Sequence, residues 1–89
     1  MEIEIIPDLS SCIQTLAKKE YEKVLRNLLR EEGEESYLEK KLEILRIFLE
    51  SADFHDLRNR SEKAILEGGT VRFKITLDGW KMETDQSLT

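Results

Sequence analysis

Between residues 35 and 67 the apolar positions follow a helical period and then abruptly change direction. Turning at about 100° per residue from Leu38, the side chains of Leu42, Leu45, Leu49 and Ala52 stay within roughly 40° of it. Phe54, Leu57, Ser61, Ala64 and Ile65 cluster instead at about 80° to 180°, so the apolar face swings by roughly 130° between Ala52 and Phe54. One straight helix cannot keep both stripes on one core. The swing predicts a break at Ser51 to Asp53, with Ser51 or Asp53 capping a third helix that runs to about Glu67 and stops at Gly68-Gly69.

Upstream, "EIEII" alternates Ile3 and Ile5 with Glu2 and Glu4 and ends at Pro7, the pattern of a short strand. Ser11 with Gln14 forms the sequence signature of a capping box. It precedes a periodic set (Ile13, Leu16, Ala17, Tyr21, Val24, Leu25, Leu28) that predicts a first helix ended by Gly33. Ser36 with Glu39 repeats the signature and opens the second helix. The short connection predicts that the two pack as an antiparallel hairpin. Ile44, Ile47 and Phe48 lie off the second helix's main stripe and widen its apolar arc to about 220°. Such a helix is either central in its own domain or shared with a second subunit.

Downstream, Val71, Phe73, Ile75 and Leu77 alternate with Arg72, Lys74 and Thr76, and Asp78-Gly79 suits a two-residue type I′ turn. That register sets Leu77 opposite Trp80 and Ile75 opposite Met82. Glu2 and Glu4 on the first strand complement Arg72 and Lys74, which places the first strand beside the second in a three-stranded sheet. The predicted fold class is therefore α+β, in the order β-α-α-(kink)-α-β-β, with a mainly antiparallel sheet and the helices on one face. Residues 1–84 are expected to form one domain, with 85–89 a frayed polar tail.

Composition narrows the function classes. A chain of 89 residues builds a small core, and its one cysteine, Cys12, and one histidine allow neither an internal disulfide nor a zinc site. Oligomerisation is the remaining route to more buried apolar surface. The second helix supplies the expected contacts of a homodimer: Tyr37, Ile44, Ile47 and Phe48. Glu2 and Glu4 stand where an export signal carries positive charge, and no uncharged apolar run approaches the roughly 20 residues of a membrane span. A soluble, cytoplasmic protein is expected. The net charge of −5 disfavours nucleic acid as a partner, and the 37% of charged residues fits a thermophile's cytosol.

Four sets of residues carry candidate chemistry. Glu32 and Glu35, then Glu50 and Asp53, form two acidic pairs of spacing three. This pattern resembles the acidic signature of the MazG-type all-helical nucleoside triphosphate pyrophosphatases, and the resemblance implies magnesium held by four carboxylates against a triphosphate. In this chain Gly33 falls inside the first pair and the predicted joint inside the second, and the carboxyl-terminal hairpin has no counterpart in an all-helical enzyme. A second set, His55, Arg58, Asn59 and Glu62, lies on one face of the third helix. It suits a polar contact surface, since a helix with one apolar side must put polar residues on the other. Arg58, Arg60, Lys63, Arg72 and Lys74, with Trp80 as a stacking ring, make a weak nucleic-acid reading. Cys12 reads as a small core residue. No nucleophile paired with a base and no phosphate loop is recognisable. The preferred expectation is a homodimeric protein-interaction or regulatory module without catalytic activity or cofactor, with a second protein as a further partner.

Overall fold

The alternation of Ile3 and Ile5 with Glu4 makes β1 (Ile3–Ile5), whose two isoleucines are buried while Glu4 is exposed. In the computed structural model, which describes residues 1–86, β1 is followed by α1 (Ile13–Leu29), α2 (Glu35–Ser51), α3 (Phe54–Leu66), β2 (Gly69–Thr76) and β3 (Gly79–Gln86). The strands form one antiparallel sheet in the order β1-β2-β3. Val71, Phe73 and Ile75 of β2 are buried beneath the helices, and the α+β architecture expected from the periodicities is the one observed.

The swing of the apolar face is a full break. α2 ends at Ser51, Ala52 and Asp53 are extended, and Asp53 caps α3 by accepting the Asp56 N–H at 3.2 Å. Phe54 can then turn inward, where its ring meets Phe48 edge-on with centroids 5.3 Å apart.

The other caps differ from expectation. Cys12, not Ser11, is the N-cap of α1, and Glu34, not Ser36, is that of α2. Neither capping box closes, because Ser11 is held in a turn by Asp8 and Ser36 sits in the first turn of α2, donating to Glu34 Oε1 at 3.1 Å. Four residues before Gly33, α1 already stops. Glu31 takes φ 55°, its N–H bonds the Leu28 carbonyl, and the Glu32 N–H bonds that of Asn27, which is a Schellman motif built on a glutamate.

The hairpin register also differs. Ile75 pairs with Trp80 and Phe73 with Met82, so the two turn residues are Leu77 and Asp78. Neither has positive φ; Gly79 takes it instead, at 146°. A shift of two residues leaves every side chain on its expected face, so Trp80 and Met82 still lie on the same side as Phe73, while Leu77 becomes an exposed turn residue. Asp85 and Gln86, expected in a frayed tail, belong to β3 and pair with Thr70 and Gly69. The rest of that tail, 87–89, lies outside the described residues.

The wide arc of α2 is filled largely by the chain itself. Leu38, Ile44, Leu45 and Phe48 are all buried, with α1 on one side and β2 on another. Phe48 is the hub of a ring cluster, its centroid 6.5 Å from that of Phe73 and 6.2 Å from that of Trp80. Ile44 and Phe48 are therefore core residues with no surface to offer a second copy, which corrects their expected role at a dimer interface. Ile47 is half-buried, and Tyr37 is exposed beside a cleft along β1.

Candidate functional site

Pro7 ends β1 because it lacks an N–H to extend the ladder. Asp8 then folds the next residues into a tight turn. Its Oδ1 accepts the Ser10 N–H at 2.9 Å, the Ser11 N–H at 2.7 Å and the Ser10 hydroxyl at 2.7 Å. Those bonds hold the carboxyl below the usual carboxylate range, the Ser10 hydroxyl most strongly. The turn delivers Cys12 to the start of α1, where its sulfur lies 3.2 Å from the Thr15 hydroxyl.

Opposite this turn stands α3. Arg58, Ser61, Glu62 and Ile65 face Pro7, Asp8, Leu9, Ser10, Cys12 and Thr15 across a cavity of about 240 Å³. The Cys12 thiol is pushed down from its ordinary range. The Thr15 hydroxyl bond is the main cause, with the backbone N–H groups of Thr15 and Gln14 and the Arg58 guanidinium adding to it against the effect of burial. No cap hydrogen bond from those N–H groups to the thiol is closed, so their effect is on a thiolate charge at the positive end of the helix. Ser61, only 4% exposed, has no hydrogen-bond partner for its Oγ among the described residues.

The polar stripe of α3 divides in two. Arg58 Nε donates to Glu62 Oε1 at 3.0 Å, and both residues line the cavity. His55 and Asn59 sit one turn away, 3.4 Å apart, and are exposed. The sequence placed all four on one helix face, but not the cavity that takes only two of them.

The four carboxylates of the pyrophosphatase-like pattern do not converge. Glu32 and Glu35 lie at the N-terminal end of α2 and Glu50 and Asp53 at its other end, so Glu35 and Glu50 are about 22 Å apart along the axis. Among the described residues no group of three or more His, Cys, Asp or Glu side chains is placed to hold a metal ion. The basic region is likewise divided into ion pairs. Arg58 pairs with Glu62 and Arg60 with Asp56 at 3.6 Å, while Lys74 pairs with Glu83 at 3.4 Å. Arg72 Nε lies 3.3 Å from Glu4 Oε1, an ion pair by distance that lacks hydrogen-bond geometry. Trp80 faces the helix side, against Phe48 and Phe73.

Sequence reasoning missed the grouping of Cys12, Thr15 and Ser61. The available signal was Ser61 itself, a hydroxyl at a position whose helical phase belongs to the buried stripe.

Three helices over a three-stranded antiparallel sheet make this a small α+β domain, with no described helix long and apolar enough to cross a membrane. A protein-family model matches residues 1–84, and the chain belongs to that family. It is 44% identical over 61 residues to an uncharacterized protein of Archaeoglobus fulgidus, an alignment that covers 65% of this chain and 72% of that protein. No solved structure matches.

Proposed function

We propose that the chain is a protein-interaction module that works as a homodimer joined through the outer edge of β3. The observation that carries this reading is the state of that strand: β3 spans eight residues, has β2 as its only neighbour among the described residues, and has no buried residue from Gly79 to Asp85. An edge of that length without proline, bulge or cover is a template for another strand. Trp80 is 37% exposed although its ring belongs to the aromatic cluster, so the helix-side surface of the sheet also ends uncovered here.

Charge selects a second copy of the same strand as the occupant. Lys81 stands opposite Lys74 within the sheet, an unfavourable pairing, and Lys74 is satisfied by Glu83 while Lys81 has no carboxylate partner among the described residues. Antiparallel self-pairing about Glu83 sets each Lys81 across from the partner's Asp85, twice by symmetry. The two Glu83 residues meet at the axis, each beside its own Lys74. A continuous six-stranded sheet results, and the exposed Tyr37 surface on the far side of each protomer stays open to a further protein partner.

Sedimentation at micromolar concentration is expected to give twice the 10.4 kDa chain mass. Lys81→Asp and Asp85→Lys, each placing like charges opposite one another twice, should each weaken association about tenfold, and the double exchange should restore it. A monomeric parent protein, or single variants that associate as the parent does, would overturn the reading.

A further inference from the structure

Ser61 is a hydroxyl without a partner among the described residues, in the interior of α3, where such a group ordinarily bonds back to a carbonyl or to a neighbour. It lines the cavity that also receives Cys12, Thr15 and Arg58, with Glu62 on the α3 side and Asp8 on the side of the turn. The thiol thus has a helix N-terminus behind it, a hydroxyl 3.2 Å away and a guanidinium across the space, and all of these favour the thiolate, the form of cysteine that attacks.

We propose that this cavity is a thiol–disulfide exchange site, in which Cys12 is the attacking sulfur and the substrate is a small zwitterionic disulfide of the amino-acid type. The charges set that class. Arg58 gives its Nε to Glu62 and keeps its two Nη groups for a ligand carboxylate, and Ser61 Oγ, enclosed as the structure stands, becomes a further donor once its side chain rotates toward the cavity. Glu62 and Asp8 each keep one carboxylate oxygen free of hydrogen bonds, and these suit an ammonium. A purely anionic ligand meets the two carboxylates, and a purely cationic one leaves Arg58 unused.

In the step itself the Cys12 thiolate attacks the nearer sulfur of the ligand. The ligand's S–S bond breaks as the Cys12 Sγ–S bond forms, and the departing half leaves as a thiolate that takes a proton from water. The disulfide is itself the oxidant, so no other co-reactant is needed.

The reduced full-length chain is to be mixed with L-cystine, with cystamine, which carries only ammonium groups, and with dithiodiglycolate, which carries only carboxylates. Mixed-disulfide formation at Cys12 is followed by mass. Cystine should react about tenfold faster than either of the others, the gain expected of one added charge-assisted contact. Arg58→Gln should abolish its advantage over cystamine, and Ser61→Ala should slow cystine by roughly threefold with helix content unchanged. Equal rates for the three probes, or a preference for cystine that survives in Arg58→Gln or in the urea-unfolded chain, sinks the proposal. Neither result depends on whether the chain is a dimer.

Discussion

Glu31 occupies at the end of α1 the position that Gly68 occupies at the end of α3. Both have positive φ, 55° and 90°, and both donate their N–H to the carbonyl three residues earlier, Leu28 at 3.2 Å and Ile65 at 3.0 Å. Glycine adopts this conformation freely, whereas a residue with a Cβ is strained by roughly 1–2 kcal/mol. Glu31→Gly should therefore stabilise the protein. Part of the strain relief is offset by the greater freedom of glycine in the unfolded chain, leaving a net gain of about 0.5 kcal/mol. The reverse change, Gly68→Ala, meets no atom within 4 Å and should cost about 1 kcal/mol from the backbone alone. Urea unfolding midpoints of the two variants are expected to move in opposite directions.

Asp53 holds the break between α2 and α3 through its single bond to the Asp56 N–H. Asp53→Ala removes the cap and should cost about 1 kcal/mol, while Asp53→Asn, which keeps an acceptor oxygen, should cost less than half of that. Equal losses in the two variants would mean that the cap does not set the break.

Phe48 and Ile47 are neighbours on α2 with opposite fates. Phe48 is 2% exposed and touches Phe54, Phe73 and Trp80, whereas Ile47 is only half-buried. Phe48→Ala should cost about 3–5 kcal/mol, enough to unfold a domain of this size at moderate temperature, and Ile47→Ala well under half as much. Thermal unfolding followed by circular dichroism separates them.

Asp8 gives the acid limb of the stability curve a defined source. Its carboxyl titrates below the ordinary aspartate value of 3.8 in the folded chain because it accepts bonds from Ser10 and Ser11. A depressed folded pKa contributes stability that is present above pH 3.8 and is lost as pH falls through the lower folded value. Asp8→Asn should flatten the fall of the unfolding midpoint in that window and leave its pH dependence near neutrality unchanged. A parent and variant with the same acid profile would exclude Asp8 as the source.

The sequence made the break at Ser51 to Asp53 legible because a change of helical phase is a geometric contradiction within one helix. It made the strand faces legible because period two is insensitive to a shift of two residues, which is also why it misjudged the turn: Asp78-Gly79 satisfies turn chemistry in two registers, and the packing of Trp80 on Phe48 and Phe73 accompanies the one in which Gly79 opens β3. Helical phase says that Ile44 and Phe48 need cover but not which surface provides it. The cavity was not legible at all, since it draws on a turn at residues 7–12 and on α3, segments more than forty residues apart that only the fold brings together.

The pairing of Ile3 and Ile5 with Ile75 and Phe73 also sets a schedule. Each helix closes its own hydrogen bonds as soon as it is made, and β2 and β3 need only a two-residue turn, but β1 must wait for partners about seventy positions further on. During synthesis the two β1 isoleucines therefore have no strand to pair with until β2 emerges, and until then the hairpin of α1 and α2 carries its apolar seam without a sheet to lie on. Assembly should be limited by this one long closure rather than by helix formation, with β1 docking last onto a domain otherwise in place.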